Sequence, residues 1–328
     1  MKLILAASGS SEIARPSVLS ASAAAALESA TADNTRRSYA AAWADFVRWC
    51  GLNERQALPA TPETVADYLA AMAEGYKLAT VRHRLSVLNQ AHEAQGLDAP
   101  GKTRLVRSVV RGIANQKASG GERKKKAEPV LTAHLQAIAS KLDRKATTEA
   151  KRDKALLLIG FAGAFRRSEL GALTVEDLNF EDRGVKITIR KSKTDQAGDG
   201  QAIGIAAGRN PSTCPVAALR EWLSASGIVS GPVFQSFRKG GKLTGRGMSG
   251  EAIRLMIKAR IGGALGESFA DVFSGHSLRR GFVSQGVLNG ATERGMMKTT
   301  RHKSVEVFRS YVKDFGVWQD NETGALGL

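Results

Sequence analysis

The chain has 328 residues, with 48 Lys or Arg against 31 Asp or Glu, so its formal net charge is +17. A hydrophobic content of 43% excludes a disordered basic tail. No apolar run approaches the roughly 20 residues of a bilayer span, and the N-terminus does not resemble a signal peptide, which predicts a soluble cytoplasmic protein without membrane partners. Cys50 and Cys214 are isolated, so neither a disulfide nor a zinc site is expected. The length suggests about two domains, and the charge predicts a polyanionic partner.

The first third of the chain predicts a helical domain behind a disordered start. Residues 1–33 are rich in Ala and Ser and contain no aromatic residue, so they are expected to be disordered. Apolar residues at helical spacing then predict a bundle over 34–116. Four helices are expected. The first covers about 39–50, the second begins after the N-cap residue Thr61, the third covers about 79–92 and the fourth about 103–115. The apolar positions of the fourth helix are Leu105, Val106, Val109, Val110 and Ile113.

A basic stretch joins the bundle to the rest of the chain. Between residues 101 and 126 there are nine Lys or Arg and one Glu. Residues 117–128 read as a linker because two glycines and a Lys run cannot pack a core. One interpretation is a solvated tether, and the other is a segment that follows a DNA phosphate backbone. The basic residues assigned to the second interpretation are Arg104, Arg107, Arg111, Lys124, Lys125 and Lys126.

Residues 129–314 predict a second domain that is mainly helical with a small antiparallel sheet. Thr132 is expected to cap a helix over about 133–142, and an apolar segment at 156–161 is expected to form a central helix. Alternating apolar and polar residues at 185–190 predict a strand with one buried face. A turn at 191–200 and a return strand at 202–205 would follow. From residue 215 onward the pattern is helical again, and residues 315–328 form a tail.

The residues capable of chemistry in this domain are mostly basic. The chain has no Walker loop, no GxSxG elbow and no carboxylate cluster with metal-ligand spacing. Arg166 and Glu169 follow the central helix and, taken alone, are an ordinary i,i+3 pair. His276 and Arg279 lie three apart at a helix start, where they share a face. Tyr311 is the single tyrosine of the domain.

In chain order, Arg166-x-x-Glu169, Lys193, His276-x-x-Arg279, His302 and Tyr311 resemble the tyrosine site-specific recombinases (the phage integrase family). The pattern of aromatic and basic residues at 34–46 is similar to the family's core-binding domain. The resemblance implies a two-domain DNA clamp, mainly α with a small antiparallel sheet in the C-terminal domain. It would combine a helical core-binding bundle with the family's catalytic domain. Lys191 lies two residues from Lys193 and remains an alternative for the catalytic lysine.

The resemblance also implies a reaction, which is the cleavage and rejoining of DNA strands through a 3′-phosphotyrosine. It requires no metal, ATP or other cofactor. The implied roles are Tyr311 as nucleophile, Arg166 and Arg279 as transition-state cations, His276 as proton acceptor, Lys193 as acid, His302 as phosphate ligand and Glu169 as support.

The implied partner is double-stranded DNA with a specific inverted-repeat site, bound by a homotetramer that joins two such sites. The side chains predicted to read bases are Arg82, Arg84, Glu251, Arg254 and Lys258, and the alternative is that they line plain solvated helix faces. The tail either docks on a neighbouring protomer or caps its own domain. A type IB-like topoisomerase and a non-catalytic DNA-binding relative remain the competing functions.

Overall fold

In the computed structural model of the chain, the described residues are Ser22 and the ranges 33–122, 127–190, 200–302 and 304–312. The chain divides into two compact units, Met1–Lys125 and Lys126–Leu328, and each unit has its own hydrophobic core. Several predicted features lie outside the described residues. They are most of the N-terminal segment, the linker lysines Lys124–Lys126, the turn with Lys191 and Lys193, and the C-terminal tail.

The first unit contains the four helices that the apolar spacing predicts. They are α1 (Asp33–Leu52), α2 (Pro62–Gly75), α3 (Leu78–Glu93) and α4 (Arg104–Ser119), with a 3-10 turn at Pro100–Lys102 before α4. The Thr61 hydroxyl accepts a hydrogen bond from the N–H of Thr64 at 3.2 Å and so provides the predicted N-cap of α2. Helix α3 exceeds its predicted bounds by one residue at each end, whereas α4 begins one residue later than predicted and ends four residues later, at Ser119.

Aromatic contacts between α1 and α2 organise the core of this unit. The rings of Phe46 and Tyr68 are buried, with centroids 4.9 Å apart in an edge-on arrangement. The Tyr68 hydroxyl donates to Asp45 at 3.0 Å, so its polar end is satisfied. Leu105, one of the apolar positions of α4, is 42% exposed. Helix α4 buries Val106 instead, and one residue along a helix is a rotation of about 100°.

The second unit is mainly helical and surrounds one central helix. Its helices are α5 (Thr132–Lys145), α6 (Thr148–Ala162), α7 (Arg167–Ala172), α8 (Pro215–Ser226), α9 (Gly250–Leu265), α10 (Glu267–Ala270), α11 (Ser277–Leu288), α12 (Glu293–Thr300) and α13 (Val305–Val312). Helix α6 contains the apolar segment predicted to be central. It is buried over most of its length and packs against α5, α8 and α11.

A three-stranded antiparallel sheet lies beside these helices, in the order β1 (Leu178–Glu181), β2 (Gly184–Ile189) and β3 (Gln201–Ala206). The predicted alternation along β2 is confirmed, because its apolar residues are buried and its polar ones exposed. In the register of β2 with β3, Val185 pairs with Ile205. The sequence analysis missed a second sheet, the antiparallel pair β4 (Gln235–Phe237) and β5 (Leu243–Gly247).

Two expectations for the second unit are therefore corrected. Thr132 does not cap α5 but begins it; the cap position belongs to Leu131, whose N–H donates to His134 Nδ1 at 3.2 Å. The chain after residue 215 is not helical throughout, because β4 and β5 interrupt it. These strands are three and five residues long and lack a buried–exposed alternation, so they leave no period-2 pattern to detect. Among the described helices, none has the length and hydrophobicity of a membrane span.

Candidate active site

A tight connection between α6 and α7 forms the floor of the site. Gly163 ends α6, and Ala164 adopts the left-handed conformation with φ of 47°. Phe165 is buried, and Arg166 occupies the N-cap position of α7. The carbonyl oxygens of Gly163 and Ala164 accept hydrogen bonds from arginines that lie more than 100 residues later in the chain. The α6–α7 connection therefore binds side chains from distant parts of the sequence.

Arg166 and Glu169 form a close pair at the start of α7. Arg166 Nη1 donates to Glu169 Oε1 at 2.7 Å, and the backbone N–H of Arg166 donates to Glu169 Oε2 at 2.8 Å. The Glu169 carboxylate therefore caps the helix as well as binding the guanidinium. The Glu169 side chain is only 2% exposed, against 14% for Arg166. A buried carboxylate at this position fixes the orientation of the more accessible cation.

Arg279 lies on α11, and its side chain contacts the same α6–α7 connection. It is 2% exposed, and its Nη1 donates to the carbonyl of Ala164 at 2.8 Å, while its Nη2 donates to the carbonyl of Thr300. Both terminal nitrogens are thus held by main-chain oxygens from other segments. The guanidinium is fixed in place before any substrate arrives, as preorganised electrostatic stabilisation requires.

His276 lies one turn before Arg279, at the N-cap position of α11, and is exposed. Its backbone N–H donates to the hydroxyl of Ser274 at 3.1 Å, which shapes the entry into the helix. Helix α11 approaches the start of the unit very closely at Gly281. A Cβ placed there would lie 1.9 Å from the carbonyl oxygen of Val130. The glycine therefore sets how deeply Arg279 reaches into the site.

His302 follows α12, and its ring is fixed from two sides. Nδ1 lies 2.9 Å from the hydroxyl of Thr300, and the ring packs edge-on against Phe308 at a centroid distance of 5.8 Å. Burial lowers the pKa of His302 to about 4, helped by the positive charges of Arg279, Arg166 and Arg301 and by its interaction with His276. The imidazole is therefore neutral at neutral pH, and the predicted site residues act on one another electrostatically.

Arg301 belongs to this cluster and was missed by the sequence analysis. It is 7% exposed, and its Nη2 donates to Glu169 Oε2 at 2.7 Å. Its Nη1 donates to the carbonyl of Gly163 at 3.2 Å, and its guanidinium carbon lies 5.4 Å from the centroid of the Phe165 ring. Burial lowers the pKa of Arg301 below its usual range. In the sequence it is one basic residue among several near His302, so no pattern singled it out.

Tyr311 lies in α13, the last described helix, but its side chain is outside the described atoms. Phe308, one turn earlier, is completely buried in a small core with Val283 and Met296 from α11 and α12. The helix with the predicted nucleophile therefore packs on the helix that contains Arg279.

Both candidates for the catalytic lysine, Lys191 and Lys193, lie outside the described residues. The strand that leads to them is anchored by Arg190, whose Nε donates to Asp177 Oδ1 at 2.6 Å. The Asp177 side chain is 5% exposed, so this anchor is well buried on one side. The end of β2 is thereby held in a defined position.

The residues predicted to contact DNA differ in their exposure and in their contacts within the protein. Those exposed on the first unit are Arg82, Arg104, Arg107 and Arg111. Arg84 is instead held within its own unit, since Nη1 donates to the carbonyl of Ala42 at 3.0 Å and lies 3.3 Å from Asp45. On α9, Arg254 pairs with Glu251 at 2.5 Å, and Lys258 pairs with Asp271 at 3.2 Å. None of these contacts tests a role in base recognition, which stays a prediction.

The cluster brings together Arg166, Glu169, His276, Arg279 and His302 as the motif order predicts, and adds Arg301. Within the described ranges, no group of three or more His, Cys, Asp or Glu side chains is arranged to hold a metal ion. Three guanidiniums around one buried carboxylate leave a local surplus of positive charge. Such a site suits a substrate with a phosphate at its reacting centre.

Comparison with known proteins agrees with this chemistry. Residues 130–315 match the model of the "Phage integrase family". An integrase/recombinase xerD homolog of Selenomonas ruminantium is 35% identical over 298 residues, which cover 90% of this chain and 86% of that protein. The recombinase cre of Escherichia phage P1 is 27% identical over a region that covers 86% of this chain and 83% of that protein. The sequences of residues 274–277 and 321–325 also resemble that of Cre.

Solved structures share the fold. The Tn1549 transposon integrase in complex with transposon right end DNA superposes with a TM-score of 0.60 at 14% identity, covering 88% of this chain and 92% of that one. The predicted fold class, mainly α with a small antiparallel sheet, is confirmed.

Proposed function

The chain belongs to the phage integrase family, and we propose that it is a site-specific recombinase whose Tyr311 forms a 3′-phosphotyrosine with DNA. As a tyrosine recombinase it cleaves and rejoins DNA strands. The observation that supports the proposal most strongly is the buried cluster around Glu169. The two predicted transition-state cations are fixed there, Arg166 by the Glu169 carboxylate and Arg279 by the carbonyl of Ala164 in the α6–α7 connection.

The reaction is a transesterification. The Tyr311 oxygen attacks the scissile phosphorus, the bond between phosphorus and the 5′-oxygen breaks, and a free 5′-hydroxyl leaves. Rejoining is the reverse attack by a 5′-hydroxyl, which releases the tyrosine. Because one phosphodiester is exchanged for another, the energy of the bond is retained and ATP is not needed.

Negative charge accumulates on the non-bridging phosphate oxygens during the attack. Arg166 and Arg279 supply permanent positive charge at this point, and low local dielectric strengthens its effect. We propose that these guanidiniums take the place that a metal ion has in other phosphoryl-transfer enzymes. His302, neutral at neutral pH, is proposed to donate a hydrogen bond to the phosphate.

Two protons have to move. The phenol of Tyr311 has an ordinary pKa of about 10, so its proton leaves during the attack. His276 is proposed to accept it, and its exposed position at the start of α11 is compatible with access to DNA. Lys193, or Lys191 two residues earlier, is proposed to protonate the departing 5′-oxygen.

The proposed partner is double-stranded DNA with a specific inverted-repeat site, and the proposed active assembly is a homotetramer on two such sites. The structurally similar Tn1549 integrase was solved with DNA. The exposed arginines of α4 are proposed to contact the phosphate backbone, and the charge surplus of the whole chain supports this. The tail after residue 314 is proposed to dock on a neighbouring protomer.

The test is a capture experiment on DNA fragments from the source genome, followed by a strand-exchange assay on the fragments that the protein selects. A recombinase exchanges strands between two copies of one sequence and leaves unrelated supercoiled plasmids unchanged. Relaxation of any supercoiled plasmid without a specific site would support the topoisomerase alternative. Binding without cleavage by the wild-type chain would support the non-catalytic alternative.

A further inference from the structure

We propose that Arg301 is a positioning residue of the active site, which sets the orientation of the Arg166 and Arg279 guanidiniums through the acceptors that it shares with them. The expected effect of Arg301 on catalysis rests on the proposed function. It assigns to Arg301 no contact with DNA.

The shared acceptors are the first argument. Glu169 presents one carboxylate oxygen to Arg166 and the other to Arg301, each at 2.7 Å. The carbonyl oxygen of Ala164 accepts from Arg279 at 2.8 Å and from Arg301 at 3.4 Å. Arg301 therefore contacts the immediate support of both predicted transition-state cations. A change at Arg301 alters both supports at once.

The backbone at this position is the second argument. Arg301 has a φ of 57°, in the left-handed region that suits glycine and costs other residues on the order of 1 kcal/mol. The conformation ends α12 and turns the Arg301 side chain inward, where it meets Glu169 and the α6–α7 connection. The adjacent residues are also engaged: the Thr300 carbonyl accepts from Arg279, and the ring of His302 lies next to the cluster.

Charge is the third argument. Arg301 adds a cation in a place where Arg166 and Arg279 already supply two, so the three repel one another. The buried Glu169 offsets part of this repulsion, with a side chain only 2% exposed. If one partner of an ion pair buried this deeply is removed, the charge of the other is left without compensation. Each side chain is therefore needed to keep the other in its buried position. Lys in place of Arg301 would keep the charge but could not reach the Glu169 and Gly163 oxygens with separate nitrogens.

The experiment compares Arg301→Gly, Arg301→Lys and the control Ala146→Gly. Ala146 has a φ of 49° at the end of α5, so its replacement measures the relief of left-handed strain alone. For each variant, the affinity for the selected DNA site and the single-turnover rate of cleavage are measured separately. Outer-shell partners that orient metal ligands typically contribute 10- to 100-fold, and we take the same scale for a group that orients the phosphate-binding arginines. We expect both Arg301 variants to cleave about 10- to 100-fold more slowly with DNA affinity within about twofold of wild type.

A double variant separates positioning from mere folding. Since Arg301 and Arg166 share Glu169, the losses in Glu169→Gln and Arg301→Gly should overlap, and the double variant should cleave faster than the product of the two single losses predicts. Cleavage by Arg301→Gly at the wild-type rate, or losses that multiply in the double variant, would overturn the proposal. If Arg301→Gly does not fold, the same comparison with Arg301→Lys decides.

A second measurement does not depend on the proposed function. The side-chain Nε–H resonances of arginine are recorded by NMR on the DNA-free protein, with those of Arg166 and Arg279 assigned. We expect both resonances to shift in Arg301→Lys and to stay unchanged in Ala146→Gly. Unchanged resonances in Arg301→Lys would overturn the positioning role even if the wild type cleaves DNA. If the wild type cleaves no DNA, the proposed function fails and this spectrum still decides the role of Arg301.

Discussion

Glu169 and Arg301 form a buried ion pair, with Arg301 Nη2 at 2.7 Å from Glu169 Oε2 and side chains that are 2% and 3% exposed. The two residues lie on α7 and at the end of α12, so the pair joins two segments that carry other predicted site residues. Removing charges from water is costly, and the attraction between them compensates only while both partners are present. The pair therefore makes the active site sensitive to loss of either member.

Replacement of Glu169 by Gln should destabilise the second unit by about 3–5 kcal/mol, because it leaves the buried Arg301 charge without its counter-ion. Urea unfolding followed by fluorine NMR of fluorotryptophan-labelled protein measures the effect, with the signal of Trp222, in the core of this unit, resolved from those of the other three tryptophans. Glu181→Gln is the matched control, since Glu181 pairs with Arg183 on the surface at 3.3 Å. That change should cost no more than about 1 kcal/mol. Equal losses for the two variants would contradict the account.

Replacement of Gly281 by Ala should displace α11 and with it Arg279. The added Cβ would lie 1.9 Å from the carbonyl oxygen of Val130, a backbone atom that cannot rotate away. We expect cleavage to fall at least tenfold and the melting temperature to decrease. The control is Gly263→Ala on α9, where nothing lies within 4 Å of the new Cβ. Alanine there should be neutral or stabilise the helix by up to about 1 kcal/mol.

The pH dependence of stability should contain a contribution from His302. Its pKa is about 4 in the folded chain and about 6.5 when unfolded, so the unfolded state takes up the proton first as pH falls. The contribution of His302 is thus fully present above about pH 6.5 and is lost as the pH falls towards 4. In His302→Gln, the free energy of unfolding should decrease less over this range. An NMR titration that placed the folded pKa of His302 near 6.5 would contradict the buried, cation-rich site.

The salt dependence of DNA binding should distinguish exposed from engaged arginines on the first unit. Each phosphate contact adds about 0.9 to the slope of log affinity against log salt concentration. Arg111, exposed on α4, should lower the slope by about one unit when replaced by Gln. Arg84→Gln should leave the slope unchanged, because Arg84 is bound to Ala42 and Asp45. The same slope for wild type and Arg111→Gln would exclude Arg111 from the phosphate contacts.

The sequence predicted the helices whose apolar residues recur with a clear period. Helix α2, with its Thr61 cap, and strand β2, with its buried alternation, lie where the local pattern placed them. The β4–β5 pair and the exposure of Leu105 were not predictable in this way. Short irregular strands have no period, and a helix rotation of one residue depends on packing against partners distant in sequence.

The site residues also divide into those that the sequence predicts and those that depend on contacts distant in sequence. The motif residues could be found because they recur in a fixed chain order in a known family. Arg301 could not, since its role depends on a left-handed backbone and on acceptors from the α6–α7 connection and from α7. Glu169 was expected to support its neighbours, and the structure shows it bound to Arg166 and Arg301.

The most direct test of the account is the identity of the residue that becomes bound to DNA. Wild type and Tyr311→Phe are incubated with a nicked form of the selected site, on which cleavage cannot be reversed, and covalent adducts are digested and sequenced by mass spectrometry. The account predicts an adduct in the wild type alone, with the 3′-phosphate on Tyr311. An adduct of equal yield in Tyr311→Phe, or a phosphate found on another residue, would contradict it.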